Sequence, residues 1–440
     1  MTDLLRLAAA DLALVLVGAV QVWPVARRVG LPLPPRVALC FITGVGVLAV
    51  LSTLLGVAGG PTGVLPVLGP VLAAAALAGL IVIARDRRGP PARQTRRPRP
   101  APYAWVGYVV VAAVAAPFVV TAWRLPVSSN DEYMMWALRG RMLAAGHLDP
   151  LVFGGAANPL TYQSREYPLG LPALFSWVQR WVGADTAEYG AHVQVPLLGA
   201  AALVVAVWTI STMSGWLAGI LIAPALFTAT DVGRHTGVLF FADLPVAAAA
   251  LTVILLLLSW LATGGRGWLL LAFGPAVAAL YLKTEGLLFV AAACVAAAAA
   301  VRVCPAISSR RAHRGPLLLG GAALAAVLPW QVWLASHGVH SRFVGGQRWG
   351  SLRVGHLLHG SGLVLRNMAT YWPVPYSTYW AILAALSAAA LAVLVPASRR
   401  AVVFLGGTLA LIVVGLWLQY MILLANSTAG WYALGVAPAW

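Results

Sequence analysis

The sequence predicts an all-α polytopic membrane protein, with about 12 transmembrane helices and two long outer loops containing interfacial helices. Three observations point there. First, 61% of the 440 residues are hydrophobic and only 9% are charged, and the mean hydropathy of +0.86 lies outside the range of a water-soluble globule. Second, the apolar residues come in repeated blocks of about 20, the length at which a helix crosses hydrocarbon. Backbone groups in hydrocarbon must pair internally, and the blocks are too long for the alternating strands of a barrel. Third, arginine is concentrated in every second connection between blocks, as expected when short basic loops stay on the inner side.

Spans are expected at about 8–26, 37–58, 63–84, 104–123, 187–208, 215–230, 242–262, 267–282, 286–301, 316–335, 379–397 and 401–424. The first block is followed by Arg27 and Arg28 rather than by a small-residue cleavage site, so it reads as a retained helix. With an external N-terminus, the loops bearing Arg27, Arg28 and Arg36, then Arg85 to Arg99, then Arg266, then Arg302 to Arg314, then Arg399 and Arg400 all fall inside. Four segments result: three leading spans (1–85), a Pro/Arg-rich cytoplasmic linker (86–103), a core (104–380) with outer loops 124–186 and 335–379, and C-terminal spans with a short outer tail (381–440). No internal repeat is evident.

The net charge of +17 suggests a nucleic-acid partner only until the charges are located. The inner loops hold 17 arginines and one acid, Asp86, so the basic excess is topological and faces lipid headgroups. The outer side holds ten of the twelve acids, so any acid–base chemistry faces outward. The abundance of Ala, Gly and Val, with a single lysine against 28 arginines, reads as the codon bias of a GC-rich bacterial genome, and the expected location is a bacterial cytoplasmic membrane. Cys40, Cys294 and Cys304 form no disulfide or zinc framework.

"SSNDEYMMWALRG", residues 128–140, places Asp131 and Glu132 side by side after a long apolar run. Met135, Leu138 and Met142 predict an amphipathic helix at the outer surface. Ser129 and Glu132 fit the S-x-x-E capping box, a structural use of Glu132, whereas Asp131 is surplus to capping and a helix N-terminus would hold it ionised. Downstream, "YQSREYPLGLPALF" sets Arg165, Glu166 and Tyr167 before a Pro-interrupted apolar stretch expected to enter the membrane without crossing it, a plausible pocket entrance. Asp243 stands at the mouth of a span, near Asp231, Arg234 and His235. Lys283 and Glu285 lie between two apolar runs, where they form either a structural ion pair or, through Lys283, a site for a bound phosphate. In the second loop, His337 with His340 and His356 with His359 are spaced i,i+3, but no carboxylate accompanies them there as a metal ligand.

In order, "NDEYMMWALRGR", "YPLGLPAL", "ADLPVA", "KTEGLLF" and "LPWQVW" resemble the GT-C superfamily of membrane glycosyltransferases, in particular its protein mannosyltransferase and aminoarabinose transferase group. The resemblance covers most of residues 104–380. It implies a polyprenyl-phosphate sugar donor, a glycan, lipid or protein acceptor, and catalysis by an acidic residue of the first outer loop. Asp131 matches that position, with Glu132 beside it. Arg139, Arg141, Arg234 and Lys283 are then the candidates for binding the donor phosphate, and Arg165, Glu166, Tyr167, Asp243, Glu285 and His235 line the pocket. A divalent cation, used by some members, stays open as a cofactor. The rival reading from the residues is a transporter or flippase of a lipid-linked or anionic solute, with Lys283, Glu285 and Asp243 along its path. A third is a ligase or phosphotransferase that acts on the same lipid.

Overall fold

The computed structural model describes residues 2–59, 69, 103–129, 132–146, 167–227, 239–303, 313–338 and 399–426. In chain order the helices are α1 (Thr2–Arg28), α2 (Leu33–Val57), α3 (Ala104–Ala122), a π-helix (Glu132–Ala137), α4 (Leu138–Ala144) and α5 (Gly170–Val182). They continue with α6 (Ala187–Ser214), α7 (Trp216–Phe227), α8 (Asp243–Thr263), α9 (Arg266–Leu282), α10 (Glu285–Val303), α11 (Arg314–Ser336) and α12 (Arg399–Asn426). No strand occurs among the described residues. Seven of the helices, α1, α2, α3, α6, α8, α10 and α11, are long and apolar enough to cross a membrane, so the fold is that of a polytopic membrane protein. Apart from residues 69 and 103, the expected span at 63–84 and the linker lie outside the described residues, as do the expected span at 379–397 and most of the second outer loop.

Hydrophobic side chains face both ways, as they must when lipid replaces water. Leu16, Val109, Leu221, Leu318, Leu328 and Val413 are exposed, whereas Leu39, Ile42, Phe175, Leu256, Leu271 and Tyr281 are fully buried. Burying Leu against other helices gains little over burying it in lipid, so close backbone approach must hold the bundle together. Small residues supply that approach. A Cβ on Gly18 of α1 would stand 1.8 Å from the carbonyl oxygen of Cys40 on α2, and one on Gly44 would stand 2.0 Å from that of Leu14. The same device seats Gly46 of α2 on Gly274 of α9, Gly170 of α5 on Tyr281 of α9, and Gly286 of α10 on Ala279 of α9. Helix α9 is therefore the hub, touching α1, α2, α5, α8, α10 and α11. Tyr281 adds a hydrogen bond of 2.7 Å to the Ala326 carbonyl of α11.

The contacts fix relative direction. Leu14 and Gly18 meet Gly44 and Cys40 in reverse order, so α1 and α2 are antiparallel. Thr186 donates to Asp3 and Gln194 to Asp11, eight residues further along each chain, so α6 runs parallel to α1. One end of the bundle, here the upper end, gathers the starts of α1, α6, α8 and α10 and the finishes of α2, α9 and α11. The lower end gathers Arg27, Arg28, Arg36, Arg266, Arg302, Arg314, Arg399 and Arg400. The leading helices α1 and α2 are thus integral to the bundle, with α2 packed on α5, α6, α9 and α11.

Helix α5 is apolar but only 13 residues long, about 20 Å against a hydrocarbon thickness of about 30 Å. It lies within the protein, against α1, α2, α6 and α9, and Trp177 donates to the Ala10 carbonyl at 3.1 Å.

A side chain at Gly44 has no space short of moving α1 off α2. Gly44→Leu is expected to lower the midpoint of thermal unfolding in detergent sharply, by more than the roughly 1–3 kcal/mol of ordinary overpacking. Gly321→Ala on α11, where an added Cβ meets nothing within 4 Å, leaves the midpoint unchanged or raised.

Candidate functional site

At the upper end, ionisable side chains of the described residues form two adjoining groups. The first is centred on Glu132, which is fully buried. Its Oε2 accepts from the backbone N–H of Ser128 (3.1 Å) and of Ser129 (3.0 Å), and from the Ser128 hydroxyl (3.4 Å). Its Oε1 accepts from the backbone N–H of Phe240 (2.7 Å) and pairs with His192 Nε2 (2.9 Å). The Glu132 N–H in turn donates to Ser129 Oγ at 3.1 Å, so the capping box read from the sequence is formed. Burial alone would raise the carboxyl pKa, but His192, the Phe240 N–H and the N–H groups of Ser129 and Ser128 together bring it down from 4.5 to about 2. Glu132 is an anion with its acceptor positions engaged, which makes it a fastener of chain segments and a poor proton acceptor.

The helix behind it differs from expectation. A π-helix over Glu132–Ala137 continues into α4, and the buried row is Glu132, Trp136, Ala137, Arg139, Gly140 and Leu143, while Met135, Leu138 and Met142 are half-buried. The row was hidden because it contains two ionic residues and a glycine. Arg139 donates to the Tyr167 carbonyl at 2.8 Å, Trp136 stacks on the Tyr167 ring with centroids 5.4 Å apart, and Gly140 lies against Phe175 of α5. At the far end Arg180 of α5 donates to the carbonyls of Leu143 (2.7 Å) and Ala144 (3.2 Å), satisfying the last turn of α4, and Gly146, at φ +89°, turns the chain away. Leu143 and Leu169 pack on Trp330, Trp333 and Leu334 at the top of α11. π-Helical turns are frequent at functional sites.

The second group is Lys283, Asp243 and Glu285. Lys283 lies in the connection between α9 and α10, with Nζ 2.7 Å from Asp243 Oδ1 and 3.6 Å from Glu285 Oε1. Burial opposes its charge, but Asp243 first, then Glu285 and Tyr167, hold its pKa above the ordinary lysine value. One ammonium faces two carboxylates, so the group carries an excess negative charge. The Lys283 and Glu285 side chains are 17% and 16% exposed and that of Asp243 is 53% exposed, so Asp243 is the member open to a solute. Both acids stand in first helical turns, where the helix dipole favours carboxylates. Residues 240–243 join the two groups, since the Phe240 N–H holds Glu132 and Asp243 holds Lys283.

Of the residues singled out from the sequence, Glu132, Arg139, Tyr167, Asp243, Lys283 and Glu285 come together here. Arg141, two residues after Arg139, is instead paired with Glu188 and lies 5.7 Å from the centre of the Tyr133 ring. Asp131, Arg165, Glu166, Arg234 and His235 lie outside the described residues. Among the candidate phosphate-binding residues that are described, Arg141 and Lys283 already face carboxylates and Arg139 faces a carbonyl, so an anion would enter by exchange. His337, at the end of α11, stacks on Trp333 with centroids 4.3 Å apart; its i,i+3 partner His340 is not described. No group of three or more metal-ligand side chains occurs among the described residues. Sequence reasoning missed His192 and Glu188: a histidine four residues after a glutamate, in an otherwise apolar span, was the available signal.

The chain matches no protein-family model, no curated protein and no solved structure.

Because the Glu132 pKa is depressed on folding, its contribution is fully present above about pH 4.5 and is lost as pH falls toward about 2. Trp136 fluorescence in detergent is expected to report release of the π-helix across that window in the wild type, and Glu132→Gln to abolish that acid transition. At neutral pH Glu132→Leu strands His192 in the interior and is expected to cost on the order of 3–5 kcal/mol, read as a fall in the thermal midpoint.

Proposed function

We propose that the chain is a membrane glycosyltransferase that moves a sugar from a polyprenyl-phosphate carrier to a cell-envelope acceptor, glycan, lipid or protein, at the outer face of a bacterial cytoplasmic membrane. In this reading twelve spans alternate from an external N-terminus, the arginine-bearing lower end is cytoplasmic, and the upper end faces outward. The observation that carries the reading is the gathering, at one end of the bundle, of Lys283, Asp243, Glu285 and Tyr167 with a first-loop helix pinned by a buried carboxylate. The sequence order that resembles the GT-C superfamily supports the same reading.

A lipid-linked donor keeps its tail in the bilayer and its phosphate at the interface, so its site belongs where apolar helices end beside polar loop residues. The proposed step is a single displacement. Asp131 takes the proton of the acceptor hydroxyl, the oxygen forms a bond to the anomeric carbon, the bond from that carbon to the phosphate oxygen breaks, and polyprenyl phosphate leaves with the electron pair. Glu132 is not the base, because its lone pairs are already committed to five donors. Lys283 and Arg141 meet the departing phosphate by exchanging their carboxylate partners, and Asp243 and Glu285 then lie free to contact sugar hydroxyls. Stabilising that leaving charge with fixed cations is as important as the base.

Transfer from radiolabelled polyprenyl-phosphate sugar in membranes tests the reading. Asp131→Asn is expected to lower the rate by about 10²- to 10⁴-fold with donor binding retained. Lys283→Ala is expected to weaken donor binding instead. Undiminished transfer by Asp131→Asn removes the base, and uptake of a labelled solute into sealed vesicles that survives this substitution identifies a transporter.

A further inference from the structure

Among the described residues, the only side chain that the Glu132 carboxylate meets from a long apolar helix is the imidazole of His192. His192 is fully buried on α6, four residues before Pro196 and four after Glu188, and is placed by two bonds: Nδ1 donates to the Glu188 carbonyl at 2.7 Å and Nε2 meets Glu132 Oε1 at 2.9 Å. Both ring nitrogens are engaged, so the imidazole bridges the Glu188 carbonyl to the Glu132 carboxyl group, and the two side chains form a fully buried polar pair. Such a pair gains little net stability, because desolvation offsets attraction, but it penalises any arrangement in which only one partner is buried. It therefore specifies geometry.

What it specifies can be followed outward. Oε1 also takes the Phe240 N–H, and the Phe240 ring lies 6.0 Å from the imidazole and 5.7 Å from Phe175. The carboxylate thus pins three separate pieces of chain: the first-loop helix, α6, and the segment leading into α8. On the loop side the same buried row carries Trp136 and Arg139 to Tyr167, three residues before Gly170, which lies against the Tyr281 and Leu282 backbone just before Lys283; on the other side Phe240 stands three residues before Asp243.

We propose that His192 is the positioning residue of the upper-end site: it acts through Glu132 to set the first-loop helix against α6 and α8, and so fixes Tyr167 relative to the Lys283–Asp243 pair. The consequence for catalysis rests on the proposed function above; the docking itself does not. A positioning residue of this kind requires a donor at the Nε2 point rather than an imidazole as such.

Hydrogen–deuterium exchange on the full-length protein in lipid nanodiscs tests the docking, with transfer from polyprenyl-phosphate sugar measured on the same preparations. His192→Leu is expected to speed exchange of the peptides carrying the Ser128, Ser129 and Phe240 amides by about tenfold or more, with α2 and α9 unchanged, because the carboxylate that holds those amides has lost its buried partner. His192→Gln, which offers an amide N–H at a similar reach, is expected to restore protection to within about threefold. In the transfer assay the leucine variant is expected to lose kcat about tenfold or more with KM for the donor little changed, and the glutamine variant to recover most of it. Should His192→Leu fail to fold, Glu132→Gln replaces it, with the same amides expected to deprotect. Wild-type protection of those three amides in the leucine variant, or in Glu132→Gln if that one is used, overturns the proposal. An exchange result as expected in a protein that shows no transfer leaves the docking role standing and sinks the glycosyltransferase reading alone.

Discussion

A buried carboxylate is tolerated in a protein of this composition only if every lone pair is met, and meeting the lone pairs of Glu132 takes donors from three parts of the chain. Ser128 and Ser129 come from the loop itself, His192 from the second turn of an apolar helix, and the Phe240 N–H from the approach to α8. None of these elements is near another in sequence. The cost of an unmet charge in a low-dielectric interior is several kcal/mol, far more than any single apolar contact here contributes. The upper-end arrangement therefore follows from this one constraint, and the remaining contacts of the loop helix, Trp136 on Tyr167, Gly140 on Phe175 and Arg180 on the end of α4, are compatible with it rather than competing.

The packing of the apolar helices on one another obeys a different rule. With lipid as solvent there is no gain in merely burying leucine, so helices are selected by how closely their backbones can approach. Gly18 and Gly44 between α1 and α2, and Gly46, Gly274 and Gly286 around α9, leave no space for a Cβ. The first rule sets position by charge and hydrogen bonds, the second by shape. They meet at α9, whose glycine contacts anchor the bundle and whose upper end carries Lys283. Lys283 faces two carboxylates across helix ends that are themselves rigidly packed, so the geometry of that charge group is inherited from those glycine contacts.

Much of the fold was legible. The apolar blocks and the arginine clusters anticipated the described helices α1, α2, α3, α6, α8, α9, α10, α11 and α12 within a few residues, because a membrane imposes a length and a composition that survive in any single sequence. The capping box at Ser129 and Glu132 was equally legible, since it is a purely local pattern. The first-loop helix was misjudged in its facing: Met135, Leu138 and Met142 look like the buried stripe by hydropathy, yet Glu132, Arg139 and Gly140 occupy it. Hydropathy counts a charged residue as external unless its partner is known, and the partners, His192 and the Tyr167 carbonyl, lie 60 and 28 residues away.

By itself the sequence determined the class of the protein, the positions of its helices and the segregation of arginine to one end, because these depend on runs of residues and on the solvent they face. The proximity of Lys283 to Asp243, 40 residues apart, and of Glu132 to His192 was decided only by the tertiary structure. Such pairings depend on which helices approach closely enough to share an end, and that is set by shape complementarity along their full length, a property no local window of sequence contains.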